Sequence, residues 1–328
     1  MRIHIIGIIA VINAGLLFAQ APVVENVRFE QRTDGSLMVD IYYDVFDAAN
    51  DPVDITIEAS NDNGETWDLL CVSLNGDAGS GIVPGPGKHV VWDFYRDHPN
   101  LNAAEYRIRV KADDHVLTDI DGNRYEIVQI GDQVWMAENL KVSHYRNGDE
   151  IPFVSNAYFK VQEQGAIFLF NPSPAPRDNY MYNWYAVNDE RGLAPEGWHV
   201  PTDDDWNELA VFLGMDPDES DIVGWQGTDE GAKLKALEMW KASPTGSATN
   251  ETGFSALPTG TVNTLGQSGG LGYKAVFWSS TSAQLYPNSA KLNHIWIRQL
   301  HYDHSQILRE ATYYISGLSV RCVKDRED

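Results

Sequence analysis

The sequence predicts an α+β protein of more than one domain, with an all-β sandwich followed by an α+β domain. The chain has 328 residues, which exceeds one typical domain. Residues 23–112 contain short alternating strands separated by turn signals, whereas residues 203–213 have the pattern of a capped amphipathic helix. Short aromatic strands follow that helix, and one helix on an irregular antiparallel sheet is the simplest arrangement for them.

A helix is expected at residues 203–213. Thr202 precedes it and Asp205 lies three positions later, so a hydroxyl and a carboxylate can satisfy free N–H groups of the first turn. From Trp206, apolar residues recur at helical spacing and give one face to bury, and Gly214 is a natural stop. The sheet that receives this face is predicted at residues 277–280, 295–300 and 318–323.

The first residues indicate a secretory signal peptide. Arg2 precedes an uncharged run from residue 3 to residue 21 that ends in small residues. Cleavage is expected after Ala19, giving a signal peptide at residues 1–19; a cut after Ala21 and an uncleaved anchor are the alternatives. No cysteine lies near the cut, so the protein is expected to be secreted or cell-surface and not a lipoprotein. No other segment approaches the roughly 18 apolar residues of a membrane span.

The formal net charge is −23, which makes the protein strongly acidic. Such a surface repels phosphate backbones and argues against nucleic acid as a partner. Solubility outside the cell is the favoured explanation, and calcium or cationic surfaces are the alternative. Cys71 and Cys322 fall in different predicted domains, which leaves an interdomain bridge or two free thiols, and the free thiols are favoured.

Residues 22–113 are predicted to form the first domain. Six or seven short strands in about 90 residues are typical of an immunoglobulin-like or fibronectin-type-III-like sandwich. Within it, residues 60–67 read SNDNGETW and resemble the Asp-box of sialidases and related propellers. The resemblance implies that Asp62 holds a turn and that Trp67 packs beneath it. A propeller repeats this motif once per blade, and here it occurs once, so both residues are interpreted as structural.

Residues 116–328 are predicted to form the second domain. Residues 119–123 read DIDGN, but an EF-hand loop places its glycine at the sixth position, so a hairpin turn is expected. A weaker second helix is expected at residues 228–240. Residues 146–179 are proline-containing and are interpreted as a long loop.

Five ordered motifs in this domain resemble the Fibrobacter succinogenes major paralogous (FISUMP) domain: WMAENL, GLAPEGWHVPTDDDWNEL, TGFSALPTG, FWSST and GLSVRCVKD. The resemblance covers residues 118–325. The family's usual Tyr-Gly-x-Leu is replaced here by Asn179-Tyr180-Met181, so the local geometry there is expected to differ. The strings QRTDGSLMVDIYYD and PGPGKHVVWD resemble the sandwich that often precedes such modules in exported bacterial proteins.

The resemblance implies a C-type-lectin-like fold, distantly akin to formylglycine-generating, sulfatase-modifying enzymes. Those enzymes use a pair of late cysteines, whereas this region holds only Cys322, which is interpreted as a buried structural thiol. The calcium-binding motifs of sugar-binding lectins are also missing. The domain is therefore expected to be non-catalytic and to need no cofactor, and function has to be argued from sites.

Two sets of side chains are candidates for binding. Trp225 and Tyr286 lie in polar, Gly/Asn-rich contexts and are candidate platforms for a sugar ring or a protein partner. A weaker alternative is a metal site at His301, Asp303 and His304, in a predicted turn.

These observations favour an exported, non-catalytic binding module for the bacterial cell surface. Its expected partner is an extracellular polysaccharide or a surface protein, recognised through loops of the second domain. The alternatives are a structural cell-surface or matrix component and, with less support, a sulfatase-modifying-type enzyme or a hydrolase.

Overall fold

The structure, a computed structural model, describes residues 22–99, 106–154, 164–169, 180–283 and 294–326. The predicted signal peptide and Tyr286 lie outside the described residues. The chain divides into two compact units between Val116 and Leu117. Over the described ranges, no helix combines the length and the apolar composition needed to cross a membrane.

The N-terminal unit is built from two antiparallel sheets that share one core. Its elements are β1 (Val23–Gln31), β2 (Val39–Phe46), β3 (Val53–Ser60), β4 (Leu74–Gly76), β5 (Gly79–Ile82), β6 (Gly85–Trp92), α1 (Phe94–Asp97) and β7 (Arg107–Asp113). The strand orders are β1-β2-β6-β4 and β5-β3-β7. Alternation along β2 and β3 buries Ile41 and Ile57 in the same core cluster, so the two sheets form a β-sandwich.

The Asp62 turn closes against β3 through a single bridge between Ala59 and Leu69. The Asp62 carboxylate accepts hydrogen bonds from the Ser60 hydroxyl and from the amide and hydroxyl of Thr66, at 2.6 to 3.0 Å. These bonds favour the ionised form and hold the pKa of Asp62 well below its usual range. The carboxylate therefore organises this turn, and the Trp67 ring lies 4.4 Å from the Arg109 guanidinium.

The C-terminal unit contains most of the short elements of the chain. They are β8 (Val116–Thr118), β9 (Arg124–Ile130), β10 (Gln133–Met136), β11 (Ile167–Leu169), β12 (Tyr180–Tyr182), α2 (Trp184–Val187), β13 (Trp198–His199), α3 (Asp203–Phe212), a 3-10 helix (Pro217–Glu219), β14 (Gly224–Gln226), α4 (Glu230–Leu234), β15 (Thr261–Val262), β16 (Ser268–Gly269), β17 (Lys274–Ser282), β18 (His294–His301), β19 (Ile307–Tyr313) and β20 (Val323–Lys324). The larger sheets have the orders β13-β20-β10-β9-β8 and β14-β19-β18-β17. The chain is thus mostly β, with several sheets.

Helix α3 packs on the sheet that contains β17 and β18. Its Trp206 is 2% exposed, and the indole lies 4.8 Å from the Trp135 ring and 5.7 Å from the Phe277 ring. This aromatic cluster joins the helix to strands of both large sheets, β10 and β17.

The start of α3 is a capping box. The Thr202 hydroxyl accepts a hydrogen bond from the Asp205 amide at 3.1 Å, and the Asp205 carboxylate accepts one from the Thr202 amide at 2.8 Å. Two N–H groups that lack helical partners are satisfied in this way.

Replacing Thr202 with alanine is expected to lower the free energy of unfolding of the C-terminal unit by about 1 kcal/mol, because the cap is lost. Denaturant melts of the two proteins measure the difference. An unchanged midpoint would show that the hydroxyl does not stabilise the helix.

Three segments of the C-terminal unit differ from the prediction. The long loop expected at residues 146–179 contains a short strand, β11, because this segment pairs antiparallel with β12. The helix expected at residues 228–240 is only α4, because Lys235 is extended and its ammonium binds carbonyl groups of two other segments. The strand expected at residues 318–323 is reduced to β20. Before it, Leu318 bridges to Tyr182 while the Cys322 carbonyl accepts from the Met136 amide, so this segment passes between sheets.

Candidate functional site

The C-terminal unit has a groove of about 480 Å³. Three irregular segments contribute to its walls: the segment that follows β10, the segment that follows α4, and residues 250–259. Nine polar side chains line its walls: Glu126, Glu138, Asn139, Lys141, Glu238, Asn250, Ser255, Thr259 and Arg321. Leu237 also lines it and is 73% exposed, which places an apolar surface beside these polar groups. We call this feature the groove.

Arg321 forms part of the groove lining although it is only 1% exposed. Its guanidinium lies 4.3 Å from the Phe254 ring centroid, and it donates to the Phe254 carbonyl and, at 2.8 Å, to Asn139 Oδ1. Its Nε has no hydrogen-bond partner among the described residues. Burial lowers the pKa of Arg321 to about 9, and the charge of Glu138 opposes that shift.

A chain of hydrogen bonds extends from this arginine to the opposite wall. Asn139 donates to the Ser319 hydroxyl at 3.2 Å, and that hydroxyl lies 3.1 Å from the Thr259 hydroxyl. Two further hydrogen bonds, each 2.9 Å long, join Asn250 to Ser255. These amide, hydroxyl and guanidinium groups are therefore held in place before any ligand arrives.

A separate cluster lies at the turn between β18 and β19. One ligand atom from each of His301, Asp303 and His304 lies within 4.8 Å of the other two, so these residues are able to hold a metal ion. Trp225, on β14, stacks on the His304 ring with centroids 3.8 Å apart and planes 7° apart. We call His301, Asp303 and His304 the His-Asp-His turn.

The structure thus brings together two candidates that the sequence placed separately. Trp225 is half-buried and has one face against His304, which is not the fully free platform expected for it. Trp225 does not line the groove. Tyr286 lies outside the described residues, so its relation to Trp225 stays a prediction.

Lys235 is the residue at this turn that the sequence did not reveal. Its side chain is fully buried, and its ammonium donates to the carbonyls of Gly246, His301 and His304 at 2.6, 3.1 and 2.8 Å. The three donors of the ammonium match three acceptors. A lysine within the weak helix pattern predicted at residues 228–240 carried no signal for this role.

Both cysteines are free thiols in the structure. Cys322 is completely buried, and burial raises its pKa far above the usual value. Burial also raises the pKa of Cys71 to about 12. Because the thiolate is the reactive form, neither side chain has the electrostatic setting of a nucleophilic cysteine.

Comparison with known proteins identifies the C-terminal unit. The model of the family described as the Fibrobacter succinogenes major domain matches residues 128–324. The match covers more than half of the chain, so the protein belongs to this family. No curated protein matches the chain, and no solved structure matches it.

Proposed function

We propose that this member of the Fibrobacter succinogenes major domain family is an exported, non-catalytic binding protein that holds a neutral polysaccharide in the groove. In this proposal the C-terminal unit has a C-type-lectin-like fold and the N-terminal unit is an immunoglobulin-like or fibronectin-type-III-like sandwich. The observation that carries the proposal is the groove itself, in which carboxylates, amides and hydroxyls lie beside exposed Leu237.

This combination of groups fits a sugar. Carboxylate and amide oxygens accept hydrogen bonds from sugar hydroxyls, and amide N–H groups donate to them. The C–H face of a sugar ring is apolar and matches a side chain such as Leu237. The carboxylates Glu126, Glu138 and Glu238 outnumber the two cations of the lining, Lys141 and Arg321. Together with the net charge of −23 this excess disfavours acidic polymers and favours a neutral chain.

The state of the cysteines supports a non-catalytic role. The C-terminal unit has Cys322 alone, so the thiol pair of formylglycine-generating enzymes cannot form within it. That thiol is also buried and held in its protonated form. Chemistry of the sulfatase-modifying type therefore has no nucleophile here.

The test is binding of the purified protein to a glycan array and to insoluble neutral polysaccharides such as cellulose and xylan. Replacing Leu237 and Glu238 together with alanine is expected to weaken binding about tenfold or more, because a hydrogen bond to a charged group and an apolar contact are lost. Replacing exposed Glu196 and Leu265 with alanine is the matched control and should leave binding unchanged.

Other outcomes separate the alternatives. If the groove variant binds as wild type but Trp225→Ala with Tyr286→Ala loses binding, the binding role stands and the aromatic surface is the site. If the protein binds no glycan, the result favours the alternative that it is a structural component of the cell surface or matrix. Release of sugar products during incubation would contradict the non-catalytic role.

A further inference from the structure

Two imidazoles and one carboxylate converge on one point at the His-Asp-His turn. The Nδ1 atoms of His301 and His304 both contact Oδ1 of Asp303, the second at 2.7 Å. The three side chains are 26%, 35% and 36% exposed for His301, His304 and Asp303 respectively. An ion arriving from solvent therefore reaches all three ligand groups.

The turn that carries these groups is held from several sides. Trp225 stacks flat on the His304 ring and fixes its plane. Lys235 binds the carbonyls of His301 and His304 from the buried side. Gly246 approaches so closely that a Cβ there would lie 2.3 Å from the Tyr302 carbonyl oxygen. Ligands on such a fixed backbone lose little freedom when they bind an ion.

We propose that the His-Asp-His turn is a binding site for a divalent transition-metal ion of the zinc class, with His301, Asp303 and His304 as its protein ligands. On binding, the Nδ1 lone pairs face the ion and each ring carries its proton on Nε2. Small side-chain rotations widen the Nδ1–Oδ1 spacing until each ligand lies about 2.0–2.2 Å from the ion.

The donor set determines which ions fit. Imidazole suits Zn²⁺, Co²⁺, Ni²⁺ and Cu²⁺, whereas Ca²⁺ and Mg²⁺ prefer oxygen ligands in larger number. Three protein ligands also leave a fourth position open, as in zinc sites that bind water or an exogenous molecule. The site is thus accessible to a small ligand beside Trp225.

One feature opposes a cation at this turn. The Lys235 ammonium lies beneath it and repels a second positive charge, and the Asp303 carboxylate offsets that repulsion. The strongly acidic chain also raises the local concentration of cations. None of the three ligands lines the groove, so this inference does not depend on the proposed polysaccharide.

The test uses untagged protein treated with a chelator and then titrated with Zn²⁺ and with Co²⁺, by calorimetry and by visible absorption. One ion per chain and the intense d–d absorption of four-coordinate Co²⁺ are expected. The variants His301→Gln, Asp303→Asn and His304→Gln should each lower the affinity by at least the roughly tenfold to hundredfold that the loss of an outer-shell partner of a metal ligand causes. His144→Gln is the matched control, because His144 also pairs with an aspartate, Asp121, and should bind as wild type.

A measurement on the wild-type protein covers the case in which a variant fails to fold. Zn²⁺ should protect His301 and His304 from diethylpyrocarbonate, while His144 reacts at an unchanged rate; mass spectrometry maps the modified rings. Mg²⁺ and Ca²⁺ at equal concentration should protect neither. Absence of zinc binding, binding that the three variants leave unchanged, or protection of other histidines instead would overturn the proposal.

Discussion

Replacing Asp203 with alanine is expected to lower the free energy of unfolding of the C-terminal unit by about 3 to 5 kcal/mol. Asp203 is 5% exposed at the first position of α3. Its carboxylate accepts hydrogen bonds from Arg298 at 2.6 Å and from Arg309 at 2.6 Å, and both arginines are also buried. One carboxylate therefore compensates two buried guanidinium groups.

The large effect follows from what the substitution leaves behind. Arg298 keeps a bond to the Asn207 side chain, and Arg309 keeps the Asp221 carbonyl and the face of the Trp296 ring, 3.7 Å away. Neither arginine has another buried carboxylate in the described part of the chain. Arg298 would then be buried without an anion, and Arg309 would keep only the exposed Asp221 carboxylate, 3.7 Å away. Leaving these cations uncompensated is more costly than the loss of the pair itself.

The neighbouring aspartate provides the control. Asp204 is exposed in the same helical turn, so Asp204→Ala changes helix propensity and the helix-dipole interaction in the same way but breaks no buried ion pair. Denaturant unfolding followed by tryptophan fluorescence should show a loss below about 1 kcal/mol for Asp204→Ala. Equal losses for the two variants would contradict the role assigned to Asp203.

The ion cluster of Asp203, Arg298 and Arg309 could be predicted from the sequence only in part. The motif at residues 202–205 predicts the helix start, since the capping partners are three residues apart and the bonds between them are local. Asp203 is part of the same run, but its partners are 95 and 106 residues away. Nothing in the local pattern distinguishes a buried aspartate from an exposed one, so the sequence places Asp203 only in the first turn of the predicted helix.

The two candidate sites also differ in how far the sequence could predict them. His301, Asp303 and His304 are close in sequence, so the possible metal ligands could be named before the fold was known. The groove could not be predicted, because its walls are irregular segments whose positions depend on packing across the unit. The alternation of β2 predicted the sandwich core, since a strand buries every second side chain regardless of its partners.

Replacing Lys235 with methionine is expected to destabilise the C-terminal unit by about 3 kcal/mol at neutral pH, because one buried and two partly buried carbonyl groups lose a charged donor. Methionine fills a similar volume, so the result reports the hydrogen bonds more than the packing. Lys241→Met is the control. Its ammonium is exposed and binds one hydroxyl, that of Tyr273, so a change within about 0.5 kcal/mol is expected.

The difference in the free energy of unfolding between wild type and Lys235→Met depends on pH, and this dependence is a sharper test than the size of the difference. Burial lowers the pKa of Lys235 from 10.5 to about 8, with the charge of Asp303 opposing the shift. Between pH 8 and 10.5 the unfolded chain therefore holds a proton that the folded chain has released, and the stability of the wild-type protein gains a contribution that rises with pH. The methionine variant lacks this titration.

The difference between wild type and Lys235→Met should accordingly be smallest below pH 8 and grow toward about pH 9.5, as measured by urea unfolding at matched ionic strength. Lys241→Met should show no such growth, since the exposed Lys241 ammonium loses little solvation on folding. A difference that shrinks as the pH rises would mean that the three carbonyls stabilise the charged form more than burial disfavours it. The turn would then be held by a permanently charged ammonium.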